Sequence, residues 1–263
     1  MSQMAVQGYR AEREALLEIA QSLSEEELAQ PSDCAGWAVR DVIAHLAASI
    51  HGVVDPAFLP DMAGGAEAAM EAPVAERRSW GFAQVLEEYA TFSEQAAAAF
   101  EAFQVEPLSE TMLPMGELGT HPMRILPATF LFDTYCHLRI DILGLGPIDR
   151  PEPPRDEERL KPTVDWMLAG LPWMCRDGLV VVDHPLDLVL DGPGGGRFGI
   201  IPGGEDGRVL VVDDGAAYPT AEAFSDTHDF VIWGTQRRPW RDYVRIDGQA
   251  DYAATVLDVI NII

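Results

Sequence analysis

The chain has 263 residues, 48% of them hydrophobic, and a formal net charge of −25 with Lys161 as its single lysine. That length suits two domains of ordinary size with substantial cores. So acidic a surface repels nucleic acid and anionic membranes, and it points to small-molecule work.

No stretch is long and apolar enough to cross a bilayer. The start, Met1-Ser2-Gln3-Met4, lacks the basic and apolar segments of a signal peptide. Cys34, Cys136 and Cys175 are an odd number at no zinc-finger spacing. A reducing cytoplasm fits them better than a disulfide framework. Richness in Ala, Gly and Arg with almost no Lys suggests a GC-rich, actinobacterial genome.

Residues 5–22 read as an amphipathic helix with Tyr9, Leu16, Ile19 and Leu23 near one face. Ser24-Glu25-Glu26-Glu27 has capping-box spacing for a short helical turn. After a loop at 30–36, a second helix is expected from Trp37 to His51, with Val39, Val42, Ile43 and Leu46 inward. His45 falls at the edge of that face and His51 off it, toward solvent. Residues 52–73 form a long connection with one short helical piece. A third helix is expected over 74–103, with Trp80, Val85, Tyr89, Phe92 and Phe100 inward. Residues 104–126 read as irregular, broken by Pro107, Pro114 and Pro122. A fourth helix runs from Pro127 to Leu143 and stops at Gly144-Leu145-Gly146-Pro147.

These helices predict an antiparallel bundle over residues 1–146, and bundle cores are where metal sites are built. The proline-rich stretch 147–155 reads as a stiff linker. Residues 156–263 predict an α+β domain. It has a helix at 156–175, strands at 179–182, 186–190, 197–201, 208–212 and 243–246, and helices at 226–234 and 249–261. The fold class is therefore α+β, helical bundle first.

The fourth helix carries the most informative pattern. Asp133, His137 and Asp141 lie four apart along one stripe of a helix that is otherwise largely apolar. Asp133 and His137 at i, i+4 can reach one ion, and His45 would add a third ligand. Two imidazoles and one carboxylate suit zinc or a similar divalent ion and leave a coordination position open. Asp141 is then a fourth ligand, or an acceptor that orients His137 through its far nitrogen. The same spacing also admits a plain structural reading, in which Asp133 and His137 pair with each other or with arginines.

Two stretches carry a resemblance. Cys34, Gly36, Trp37, Val39, Arg40, Asp41, His45 and Leu46 follow in order the signature of the DinB-like, mycothiol-dependent maleylpyruvate isomerase family. Asp133, His137 and Asp141 fill its second signature, although the acidic ligand there is more often glutamate. The resemblance implies a divalent metal, usually zinc, on His45, Asp133 and His137. It implies mycothiol as thiol cofactor and a small electrophile as substrate. Asp229-Phe230-Val231-Ile232-Trp233-Gly234-Thr235-Gln236-Arg237-Arg238 resembles a segment of the sterol-carrier-like domain that follows the bundle in these isomerases.

The expected activity is metal- and thiol-dependent isomerisation or S-transfer by a monomer or homodimer. Rival readings are a hydrolase using metal-bound water on the same ligands, and a non-catalytic module binding a small molecule or lipid. Arg77, Arg78 and Arg238 are candidates to touch substrate. Arg237, Arg241 and His121 are candidates to touch the thiol. For each arginine, pairing with a surface carboxylate is the competing reading. Cys34 and Cys136 read as structural rather than nucleophilic.

Overall fold

A computed structural model describes residues 2–59 and 65–263. The chain forms two compact units, one of residues 1–116 and 120–154, the other of 117–119 and 155–263. The first is helical and the second is built on a sheet.

The first unit opens with α1, Ser2–Ser22, which buries Tyr9 and Leu16. The turn α2, Glu25–Leu28, carries the expected capping box between Ser24 and Glu27. Helix α3, Val39–Val54, begins two residues after Trp37, where the Asp41 carboxylate accepts from the Ala38 amide. Two helices follow where one was expected: α4, Ala66–Arg77, and α5, Phe82–Ala102. The Arg78 amide closes α4 on the Val74 carbonyl, and Gly81 is extended at the start of α5. The expected 52–73 connection thus gives its last part to α4, and its residues 60–64 lie outside the described segments.

The stretch 104–126 is less irregular than its prolines suggest. Met112–Pro114 (β1) and Thr120–Pro122 (β2) pair as an antiparallel hairpin. Helix α6, Leu126–Cys136, has Pro127 in its first turn and continues as a π-helical segment, His137–Gly144. That segment ends where the Leu145 and Gly146 amides both donate to the Ile140 carbonyl. A Cβ on Gly146 would lie 2.2 Å from the Asp141 carbonyl oxygen, so only glycine fits there.

Helix α3 packs against α5 and α4, while α1 packs against α6 and α5. A buried ion pair ties α1 to the π-helical segment: the Arg139 guanidinium donates to both Glu12 carboxylate oxygens at 2.5 and 2.8 Å, with both side chains fully buried.

The second unit begins with α7, Glu157–Met174, capped by Asp156. Leu179–Val181 is a 3-10 turn, not the expected strand. Its amides bond locally, Leu179 to the Cys175 carbonyl and Val182 to that of Leu179, and Val180 is exposed. The sheet holds β3 (Leu186–Asp191), β4 (Gly196–Ile201), β5 (Leu210–Asp213), β6 (Ala221–Asp226) and β7 (Arg245–Gly248), in the order β5-β4-β3-β6-β7. Only the β3–β6 pair is parallel.

Strand β6 was not foreseen. Its inward residues are Ala221, Ala223 and Ser225, too small to give an alternating apolar signal. The small side chains leave room for helix α8, Thr227–Gly234, whose Trp233 indole donates to the Ser225 hydroxyl. Helix α9, Ala250–Leu257, completes the unit. Among the described residues, no helix is long and apolar enough to cross a membrane.

Candidate metal centre

The centre forms where α3 passes the α6 segment. Asp133 and His137 are one turn apart, so their side chains leave α6 in the same direction. His45 comes from the facing side of α3. The Nε2 atoms of His45 and His137 each lie 3.3 Å from the same oxygen, Oδ1 of Asp133. The imidazole rings meet edge to face with centroids 4.7 Å apart. One ligand atom from each residue falls within 4.8 Å of the others.

These separations fit a divalent ion. Bonds of about 2.0–2.1 Å in a tetrahedron set neighbouring ligand atoms about 3.3 Å apart. The donor set, two borderline imidazoles and one carboxylate, is the kind zinc accepts. The one-methylene shortening from glutamate to aspartate does not prevent convergence, because both imidazoles reach Oδ1.

Around this trio the groups are ordered. Asp141, 1% exposed, approaches His137 Nδ1 at 2.7 Å through Oδ2. It therefore engages the nitrogen that faces away from Asp133, which is the orienting position. The π-helical backbone carries Asp141 on the turn after His137. The Asp33 amide donates to the Asp141 carbonyl, and the folded-back loop sets Cys34 Sγ 3.6 Å from the same His137 Nδ1. This contact was missed from sequence, because it depends on a loop-to-helix hydrogen bond with no local signal. The Trp37 ring lies 5.3 Å from that of His45, and its indole donates to Glu71.

Electrostatics follow from the packing. Burial opposes ionisation of Asp133, but the two imidazoles outweigh it and hold the carboxyl well below the usual range. Burial likewise opposes a charge on His137, yet Asp133, Asp141 and Cys34 together push its pKa well above that of a free imidazole. Without an ion, the cluster is held together by a proton on His137 and a charge on Asp133.

The remaining candidates lie elsewhere. Arg77 is buried, and its guanidinium donates to both oxygens of Glu88, at 2.7 and 2.6 Å, and to the Pro73 carbonyl. His51 is not solvent-facing as expected. It is 9% exposed, 2.6 Å from Glu88, and stacked on Phe58 and Phe92. The reason is that α3 is covered by both α4 and α5, so its buried face extends well beyond one stripe. Arg78 bridges Asp41 and Glu71.

His121 is buried in β2 and, among the described residues, does not join the ligand atoms clustered at His45, Asp133 and His137. In the second unit, Arg241 is paired bidentately with Asp258 at 2.7 and 3.0 Å. Arg237 and Arg238 follow α8, where the Arg237 amide donates to the Ile232 carbonyl and the Arg238 guanidinium to that of Arg237.

Residues 9–139 match the family model described as the mycothiol maleylpyruvate isomerase N-terminal domain. No curated protein sequence matches the chain. Two solved structures share its fold: a mycothiol-dependent maleylpyruvate isomerase, with a TM-score of 0.57, and a histidine-to-alanine mutant of such an enzyme, with 0.56. Each is 14% identical, over 94% of this chain and 93% of the other.

Proposed function

Through its N-terminal domain the chain belongs to the mycothiol maleylpyruvate isomerase family, and from that premise we propose that it is a metal- and thiol-dependent enzyme acting on a small electrophile. The observation that carries the reading is the convergence of two imidazole Nε2 atoms on one oxygen of Asp133, 3.3 Å from each. His45, Asp133 and His137 would hold a divalent ion, for which zinc is our choice. The bound ion supplies a Lewis acid that lowers the pKa of a coordinated thiol, and mycothiol, the thiol of the family name, supplies the nucleophile.

The chain's own residues prepare that chemistry. Asp141 engages His137 through Nδ1, so Nε2, the nitrogen facing Asp133, is the one presented to an ion. Asp133 is the one anion of the trio. Against a divalent cation this would leave a net positive charge of about one, which would favour an anionic sulfur over neutral water. The His45 and His137 side chains are each 12% exposed, so the centre is screened from bulk water yet reachable. That limits competing hydrolysis while admitting a small ligand.

Addition to an activated double bond, rotation and expulsion would give cis–trans isomerisation. Displacement of a leaving group would give S-conjugation. Maleylpyruvate is the first substrate to try. The three cysteines are free thiols, which suits a cytoplasmic setting. The C-terminal unit is read as sterol-carrier-like.

The test is turnover of maleylpyruvate and related electrophiles by zinc-loaded protein, with and without mycothiol. Turnover that requires both thiol and ion supports the reading. Turnover with the ion alone would move it to a hydrolase using activated water.

A further inference from the structure

The two imidazoles of the centre are held in different ways. His137 has the Asp141 carboxylate behind its Nδ1, at 2.7 Å. Among the described residues, none pairs with Nδ1 of His45, a buried atom. A histidine that ligates a metal normally has its far nitrogen fixed by a carboxylate, a carbonyl or a water. No carboxylate or carbonyl of the protein does this for His45, so the direction of its ring falls to the groups packed on it. Two rings supply that packing. The imidazole of His137 meets it edge to face at 4.7 Å, and the indole of Trp37 lies 5.3 Å away, tilted by 42°. Both separations are those of aromatic rings in contact.

Trp37 is itself fixed at every polar atom. Its amide donates to the Cys34 carbonyl at 3.0 Å. Its carbonyl accepts from the Ser32 amide at 3.0 Å and from the Ser32 hydroxyl at 2.8 Å. Its indole N–H donates to Oε2 of Glu71, on α4, at 2.9 Å. The other oxygen of Glu71 accepts from Arg78 at 2.9 Å, and Arg78 reaches back to Asp41, in the first turn of α3, at 3.2 Å. The chain of contacts therefore leaves the start of α3, crosses α4 and returns to α3. The Glu71 and Arg78 side chains are 55% and 38% exposed. Ion pairs so exposed add little to stability, so direction rather than stability is what this one can supply.

We propose that Trp37 is a positioning residue for His45, and that Glu71, held by Arg78, latches the indole in place. The latched ring limits rotation of the His45 imidazole and keeps Nε2 on Oδ1 of Asp133, 3.3 Å away. The inference rests on the reading that His45, Asp133 and His137 hold an ion, since the consequence of fixing His45 is tighter ion binding.

The experiment is a cobalt(II) titration of wild type, Trp37→Ala, Trp37→Phe, Glu71→Ala and the Trp37→Phe/Glu71→Ala double variant. It is followed by visible absorption and paired with melting curves. Proton NMR of the His45 ring, at fixed pH, is recorded on metal-free wild type and Glu71→Ala. Trp37→Ala should lose about ten-fold in cobalt affinity, the low end for groups that orient a metal-bound histidine. Trp37→Phe and Glu71→Ala break the same hydrogen bond, so each should lose less, and the double variant no more than the weaker of the two. Glu71→Ala should melt close to wild type and yet bind cobalt more weakly, which a purely structural role would not produce. Its His45 ring resonances should shift as the indole is released. Wild-type affinity in folded Trp37→Ala and in Glu71→Ala, or losses that add in the double variant, would overturn the proposal. If wild type takes up no cobalt, the ion-binding reading has failed. The NMR then decides the latch alone: shifted His45 resonances in Glu71→Ala support it, and unmoved ones refute it.

Discussion

Asp141→Asn isolates the carboxylate that orients His137. The side chain keeps its size and one acceptor oxygen, so the buried site is filled, but the negative charge opposite Nδ1 is gone. The bond that loses its charge is short, 2.7 Å, and its acceptor is 1% exposed. A charge-assisted hydrogen bond in such a place contributes about 1.5–3 kcal/mol. Outer carboxylates of metal-bound histidines are typically worth about ten- to a hundred-fold in affinity. At about 1.4 kcal/mol per factor of ten, that is about 1.4–2.8 kcal/mol, in agreement with the first figure. The assay is zinc competition against a chromophoric chelator at fixed pH, on protein whose circular dichroism matches wild type. A loss of about ten-fold or more is expected. An affinity within two-fold of wild type would refute the orienting role and leave Asp141 a purely structural group.

Other perturbations address the scaffold. Glu88→Gln leaves the Arg77 guanidinium buried without its counter-charge and should cost about 3 kcal/mol or more in urea unfolding. Gly146→Ala places a methyl against the Asp141 and Ile142 carbonyls, 2.2 and 2.4 Å away. It should cost about 1–3 kcal/mol by overpacking and weaken ion binding with it. For the metal-free protein, pH dependence follows from two opposite shifts. Asp133, lowered from 3.8, contributes stability that is present above that value and lost as pH falls toward its folded pKa. His137, raised from 6.5, contributes stability that is full below that value and lost as pH rises through its folded pKa. The stability gap between wild type and His137→Gln should be widest between about pH 4 and 6.5 and close on the alkaline side; a gap independent of pH would contradict the assignment.

How much of this was legible in the sequence depended on range. Asp133 and His137 share a face by helical period alone, so their convergence required only that the helix exist. His45 could be placed at the inner edge of α3, but it was the family resemblance, not the spacing, that joined it to them. The position of Cys34 did not, because it is set by the hydrogen bond from Asp33 to the Asp141 carbonyl, across more than a hundred residues. The direction of His51 was misjudged for a related reason: a single helical stripe cannot show that two neighbours, α4 and α5, cover α3 from different sides. The break before α5 was hidden because Ser79-Trp80-Gly81 is short and Trp80 fits the apolar period on either side. Strand β6 was hidden by its small inward residues, the last of which, Ser225, accepts from the Trp233 indole.

The central claim is that His45, Asp133 and His137 hold a divalent ion, and metal content tests it most directly. Wild type and His137→Ala, purified without added metal, would be compared by elemental mass spectrometry. The account predicts about one equivalent of zinc or a similar divalent ion per chain in wild type and loss of it in the variant. Wild type that holds no metal, even after reconstitution, would contradict the account and leave the cluster a structural hydrogen-bonded group around Asp133.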